Sequence, residues 1–364
     1  MSVLRPKPPE DPISLQLGPL AAAASEPLAR LSPLSRQPAA AGLQPEQLLD
    51  AYMRDRPASE LFRALATARE LREAVDAVVV VCEEPLGHAI QGLFETCCHP
   101  FHNALSRGER GGRPRLFFDV GPPDSDRTAG LLDLRAAARG TDLLDRWGVV
   151  RIVAGDEATG SSQAAAGPTD GQPLAAGRVE DASGLPIAVG PSLLLTAAAG
   201  PCGDVFTPAL LITASLAGID VVRFLSGGVA MLRRFVEASP ESNPPLLLAA
   251  AMWAVAAAPQ PVHLSLDTTR VHAATPLARW WASPFGTACG LATAHLQHGC
   301  LLTVGQPRRG SLPPPSPGTH EPVPPPTPPP LSIDLPRLDE HTVGQLLAMR
   351  LLALRILTLQ AAEA

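Results

Sequence analysis

The stretch DAVVVVCEEPLGHAIQGLFE (Asp76–Glu95) decides the fold class. Ala77 to Cys82 is apolar without alternation, the pattern of a strand buried on both faces. A short turn follows, and apolar residues then return at helical spacing from Leu86. Strand, tight turn and amphipathic helix in that order open a βα unit. Where such a turn holds a phosphate, it is usually glycine and serine, so that backbone N–H groups can approach the anion at a helix N-terminus. Here the turn is Cys82-Glu83-Glu84-Pro85, and its two carboxylates cannot donate a hydrogen bond to an anion.

Outward from this unit the same alternation continues. RLFFDV (115–120) and GVVRIVAG (148–155) read as further buried strands, apart from Arg151. Upstream, a helical period begins at Pro45, breaks at Pro57 and resumes in ASELFRALATARELREA (58–74). Downstream, residues 156–200 read as loop, where an α/β domain calls for a helix. Then come two helices across 207–238, a third in NPPLLLAAAMWAVAAA (243–258), a strand PVHLSL, a helix around PLARWWASPFGTACG and a strand CLLTVG. A closing strand and a long final helix occupy 331–364. The expectation is an α/β protein with two parallel sheets flanked by helices, the second shortened. The domain boundaries expected are 46–220 for the first, with 221–305 and 331–364 forming the second. Residues 1–45, rich in Pro, Ala and Ser, read as a loosely attached leader. Residues 306–330 read as a linker, since Pro313–Pro330 holds eleven prolines in eighteen residues.

Bulk properties narrow the function classes. A chain of 364 residues with 46% hydrophobic content can build two cores, filled mainly by Leu, Val and Ala because aromatics are 4%. A net charge of −6 disfavours a general nucleic-acid or anionic-membrane binder. Arginines number 28 and lysine occurs once, at Lys7. The six cysteines include no CxxC pair and fit free thiols in a reducing cytoplasm. The N-terminus lacks the apolar core of a signal peptide, and the run PPLLLAAAMWAVAAAP, about 14 residues between prolines, is too short to span a bilayer. A cytoplasmic location with no membrane contact is expected. Cys97, Cys98, His99 and His102 stand close together, but without a second ligand pair they read as helix-end packing rather than a metal site. Leu225-Ser226-Gly227-Gly228 reads as a junction between helices, and the PxxP spacings read as linker rather than as a partner's ligand. No GxSxG, HExxH, Walker-type loop or strand-borne GxGxxG is present. Neither metal nor cofactor is expected.

Four segments in order, TPALLITASLAGID (207–220), SPESNPPLLLAAAMWA (239–254), PLARWWASPFGTACG (276–290) and LPRLDEHTVGQLLAMRLLA (335–353), resemble glucose-6-phosphate isomerases. The resemblance spans roughly residues 50–360. It implies two sugar-isomerase (SIS) domains, each a parallel sheet between helices. It also implies that Cys82, Glu83 and Glu84 stand where the family has the Gly-Gly-Ser of a phosphate loop, with Leu86 and Gly87 retained. A second phosphate loop is matched by Val153–Ala158, which brings Asp156 and Glu157; in a shifted register Thr159, Ser161 and Ser162 could supply hydroxyls. Cys202 takes the place of the family's catalytic arginine. Trp280, Trp281 and Gly290 are kept, but Thr287 replaces the glutamate base and Ala288 the adjacent serine. His298 is a possible remnant of the ring-opening histidine; a plain surface role for it and His295 is the other reading. The terminal lysine is absent, and Lys7 lies far from its place.

Removing single groups of this kind typically costs about two to four orders of magnitude in rate. Losing base, arginine, lysine and both phosphate loops together therefore argues against turnover. The resemblance implies a degenerate isomerase-like protein with a binding, regulatory or partner role, paired with a second copy or with a true isomerase. The alternative is an active aldose–ketose isomerase that binds sugar phosphate and interconverts glucose 6-phosphate and fructose 6-phosphate. A product with no selected role is the third reading.

Overall fold

The structure is a computed structural model that describes residues 12–36, 45–84, 86–120, 125–138, 146–154, 176–180, 186–197, 205–256, 263–267, 275–282, 297–306 and 331–363. The chain divides into two compact units: a continuous one, Gln44–Val222, and a discontinuous one made of Met1–Leu43 and Arg223–Ala364. The first elements, β1 (Ser14–Gln16) and α1 (Ala21–Leu31), belong to the discontinuous unit.

The continuous unit begins with α2 (Pro45–Arg54) and α3 (Glu60–Ala74), the latter opened by Ser59, whose hydroxyl accepts from the Phe62 N–H at 3.2 Å. Then follow β2 (Ala77–Cys82), α4 (Leu86–Cys97), β3 (Arg115–Val120), α5 (Ser125–Ala138) and β4 (Trp147–Ala154). Beyond these lie β5 (Ala176–Glu180), β6 (Pro186–Ala197) and α6 (Pro208–Ala217). The strands form one sheet in the order β3-β2-β4-β6-β5, parallel throughout except for the edge strand β5. Strand β2 lies inside the sheet, between β3 and β4, and is covered on both faces. Val78 and Val80 are fully buried on one side, while Ala77 and Val79 pack with Trp147, Val149 and Leu131 of α5 on the other. A fully buried valine contributes about 1.5–3 kcal/mol through apolar burial, which is why the run carries no polar alternation. Helix α6 is bounded by Thr207, which accepts from the Leu210 N–H, and by Gly218, which ends it at φ 80°.

The discontinuous unit continues with α7 (Val221–Glu237), whose first two residues precede the division, then α8 (Pro244–Ala256), β7 (His263–Asp267) and α9 (Thr275–Ala282). It closes with β8 (Gln297–Gln306), β9 (Leu331–Arg337) and α10 (Glu340–Glu363). Its sheet runs β1-β9-β8-β7, parallel except for β1. Helix α10 is long and apolar enough to cross a membrane, yet 83% of its most apolar window is buried inside the protein, as befits a core helix. Asp339 caps it, accepting from the Thr342 N–H at 2.9 Å while its other oxygen meets Arg223 at 2.7 Å. Helices α7 and α10 cross with backbones touching. A Cβ on Gly227 would lie 2.0 Å from the His341 carbonyl oxygen, and one on Gly344 would lie 2.1 Å from that of Phe224.

Four sequence expectations are corrected. Residues 12–36 are no loose leader: β1 pairs antiparallel with β9, and Ile13, Ala24 and Leu31 are fully buried. The composition is Pro- and Ala-rich, but its few large apolar residues suffice to dock it. The span 156–200, read as loop, contains β5 and β6, and β6 extends the parallel sheet beside β4. Each sheet carries one antiparallel edge strand, so neither is purely parallel. Leu225–Gly228 lies inside the continuous helix α7, because its glycines serve a close helix crossing and not a turn. Pro313–Pro330 lies outside the described residues.

Candidate functional site

Helix α4 and the end of β2 build the candidate site. In the order β3-β2-β4, the chain leaves β2 toward β3 on one side and reaches β4 on the other, so connections diverge from the carboxyl end of β2. In open α/β sheets such a switch point forms a crevice outside the strand ends, where ligands bind. Cys82, the last residue of β2, stands opposite Ile152 in β4, one residue before Val153. The two segments that resemble phosphate loops thus leave from neighbouring strand ends.

The turn is tied down on several sides. The Glu83 carbonyl accepts from the Gly87 N–H at 3.0 Å, the first helical bond of α4. Gly87 is required here. A Cβ at this position would stand 2.6 Å from Val120 of β3 and 3.2 Å from the Cys82 carbonyl oxygen. Cys82 is buried, with its Sγ 3.4 Å from the Glu83 carbonyl oxygen. Burial first, and the charge of Glu83 second, push its thiol up to about 12, so it is a neutral thiol at any physiological pH. Glu84 does not turn to the helix N–H groups. Its carboxylate meets His88 one turn on, Oε1 to Nε2 at 3.0 Å, while His88 itself is buried and its Nδ1 faces no partner among the described residues. Sequence reading placed a carboxylate at the helix end and missed His88, although the i, i+4 spacing of Glu84 and His88 was a sufficient signal. The arrangement puts acidic side chains and a buried imidazole where a phosphate site needs free donors.

Of the other candidate positions, His298 lies in β8 opposite Leu264 of β7. Cys202, Thr287, Ala288, His295 and residues 155–162 fall outside the described residues. Cys98 is buried at the end of α4 near the Ala217 carbonyl, and Cys97 is half-buried. His102 places Nε2 3.1 Å from the Pro114 carbonyl oxygen and packs edge-on against Phe94, and His99 accepts from the Phe101 N–H. Burial, the largest influence, together with nearby Arg110, Arg113 and His99, lowers the His102 pKa against the opposing pull of the Pro114 carbonyl. Both imidazoles are engaged with the backbone, and among the described residues no group of three or more His, Cys, Asp or Glu is placed to hold a metal ion.

No family model matches the sequence, and no curated protein matches it. Solved structures do match. A hypothetical protein from Thermus thermophilus aligns over 95% of this chain and 94% of its own, at TM-score 0.50 and 15% identity. A glucose-6-phosphate isomerase from Chlamydia trachomatis aligns over 82% of this chain and 68% of its own, at TM-score 0.50 and 12% identity. The fold is glucose-6-phosphate isomerase-like. At such identities the likeness concerns the path of the chain, and the chemistry has to be argued from residues. On this isomerase-like frame, the βα turn that opens the sheet's carboxyl edge carries Cys82, Glu83 and Glu84 beside His88.

Proposed function

We propose that this chain is a glucose-6-phosphate isomerase-like protein without isomerase activity, built on two SIS-type domains, the second shortened. Its role is binding, regulation or partnership, with a second copy or a true isomerase as partner. The observation that carries the reading is the Glu84–His88 pair at the start of α4. A sugar phosphate seated at this helix end would face Glu83 and Glu84 in the turn just before it, and like charges repel where the helix N-terminus would otherwise attract. The replacements at Cys202 and Thr287 support the same conclusion from sequence, since neither a thiol nor a hydroxyl can do the work of an arginine or of a carboxylate base near neutral pH. The test is a coupled assay of fructose 6-phosphate conversion to glucose 6-phosphate on purified protein. The expected result is no rate above a heat-killed control. A turnover on the order of 1 s⁻¹ or more that co-purifies with the protein establishes the active aldose–ketose isomerase instead.

A further inference from the structure

The opposite edge of the same sheet carries a concentration of positive charge that the proposed function does not use. Strands β2, β3 and β4 begin side by side: Ala77 pairs with Arg115 and with Trp147. The Asp76 N–H donates to the Arg146 carbonyl at 2.7 Å, and the Arg115 N–H donates to the Asp76 carbonyl at 2.8 Å. The Asp76 side chain is 1% exposed and forms ion pairs with Arg107 and, at 3.8 Å, with Arg146. Arg107 also donates to the carbonyls of Val75 and Arg72 at 3.0 Å each. Arg110 donates to the carbonyls of Arg113 and Leu105. Arg113 lies against Gly218 at the end of α6, where the helix carbonyls favour a cation.

Arg107 and Arg146 thus share one buried carboxylate, Arg72, Arg110 and Arg115 lie near enough to Arg107 or Arg110 to act on them, and Arg113 adjoins Arg110 through its carbonyl. The other acids nearby are engaged elsewhere: Glu73 with Arg69, and Glu109 with Ser106. Among the described residues no carboxylate pairs with Arg72, Arg110, Arg113 or Arg115, and the Nε of Arg115 is a buried donor without an acceptor. The guanidinium groups act on one another. After burial, Arg146 and Arg72 lower the pKa of Arg107, and Arg115 and Arg107 lower that of Arg110. On a chain of net charge −6 this excess is local and is not a property of the whole surface.

We infer that the amino-terminal edge of this sheet, centred on Arg113, Arg115 and Arg146, binds a compact polyphosphate. Guanidinium groups present planar forks that match phosphate oxygens two at a time. Strands lie about 4.8 Å apart, so the starts of β3 and β4 are about 10 Å from each other, the reach of a short phosphate chain. An extended acidic peptide puts only every second carboxylate on one face, about 7 Å apart, and fills the cluster less densely. A long nucleic acid would run off the cluster onto an acidic protein. The phosphate chain can be free or carried by a nucleotide. Phe101, 70% exposed on the segment leading into the cluster, is the surface on which a base would stack.

The experiment is a thermal-shift and calorimetric titration of the full chain with inorganic tripolyphosphate, ATP, orthophosphate and sulfate at low and matched ionic strength. Tripolyphosphate at saturation is expected to raise Tm by about 2–4 °C or more, and orthophosphate and sulfate by much less. The triple variant Arg113→Gln, Arg115→Gln, Arg146→Gln keeps Arg107 on Asp76 and is expected to lose at least about tenfold in affinity. Its unliganded Tm is expected to fall, because Arg146 also neutralises the buried Asp76 and Arg113 sits at the carboxyl end of α6, so affinity and not Tm of the free protein is the readout. Equal binding of ATP and tripolyphosphate assigns the site to the phosphate chain. Tighter binding of ATP that is lost in Phe101→Ala assigns it to a nucleotide. The inference is overturned if all four anions act alike at matched ionic strength, or if tripolyphosphate binds the triple variant undiminished. Tight binding of RNA or of an acidic peptide without tripolyphosphate binding also overturns it. Should the triple variant not fold, Arg146→Gln alone, at a side chain 55% exposed, decides the same question by its affinity for tripolyphosphate.

Discussion

Replacing Gly227 or Gly344 by alanine adds one methyl group where two helices touch. The Cβ at Gly227 would meet the His341 carbonyl oxygen at 2.0 Å, and that at Gly344 would meet the Phe224 carbonyl oxygen at 2.1 Å. Ordinary contact begins near 3.4 Å, so α7 and α10 must part by more than 1 Å. The atoms met are backbone, and no side chain can rotate out of the way. Phe224, Leu225, Val343 and Leu347, all buried at this crossing, would lose contacts as the helices separate. Overpacking of this kind costs about 1–3 kcal/mol and more when backbone must move, against about 1 kcal/mol gained because alanine favours a helix over glycine. Because backbone must move, the upper end applies, and a net loss of about 2 kcal/mol or more is expected for either substitution, a large share of a stability on the order of 5–15 kcal/mol. Urea unfolding followed by tryptophan fluorescence measures it, since Trp253, Trp280 and Trp281 all lie in the same unit as the crossing. Gly130 in α5 of the other unit, where a Cβ meets nothing within 4 Å and Trp147 is the reporter, is the contrast. Its alanine variant is expected to be up to about 1 kcal/mol more stable. If Gly227→Ala unfolds within about 0.5 kcal/mol of the natural chain, the crossing is not rigid and the argument from contact distance fails.

Two further outcomes follow from the turn at the carboxyl edge. The folded chain holds the Cys82 proton up to about 12 while an ordinary thiol releases it near 9.0. The folded state therefore binds more protons above pH 9, and stability should fall by roughly 1.4 kcal/mol per pH unit between pH 9 and 11. Five other cysteines, one lysine and one tyrosine also lie in the chain, so the readout is the difference: Cys82→Ala should reduce the slope by that amount, and an unchanged slope refutes the assignment. The double substitution Glu83→Gly with Glu84→Ser should cost about 0.3–1 kcal/mol by removing charge from the helix end. It should also give a larger rise in melting temperature with glucose 6-phosphate than the natural chain shows, and a natural chain that already responds as strongly contradicts the proposed role of the carboxylates.

The strands that carry the candidate site were legible because Ala77–Cys82, Arg115–Val120 and Trp147–Ala154 are apolar runs between helical periods, and burial on both faces leaves that mark. The segment holding β6 was not legible, since Gly190 and Pro191 within the strand are residues that ordinarily punctuate loops. β1 was missed for a different reason: a strand of three residues has no periodicity to read, and its partner β9 lies more than 300 positions away. The arginine cluster is likewise invisible in one dimension. Arg115 and Arg146 are scattered along the chain, and only the register of three parallel strands brings them to one edge, beside Arg72 near the end of α3. The glycines of α7 gave a misleading signal, because a glycine needed for a neighbour's backbone looks the same in sequence as one needed for a turn.

The antiparallel pairing of β1 with β9 imposes an order on synthesis. A ribosome delivers residues 14–16 more than 300 positions ahead of their hydrogen-bonding partners 332–334. The intervening Gln44–Val222 unit has every strand of its own sheet available well before then. While the intervening residues are made, Ile13, Leu15 and Leu31 have no β9 or α10 to bury them, so this nascent segment is an exposed apolar tether. A message cut short ahead of Leu331 yields a sheet without β9 and a first strand with nothing to pair with, while the Gln44–Val222 sheet is encoded intact. The cell's triage machinery would meet that half-finished edge as a sticky end.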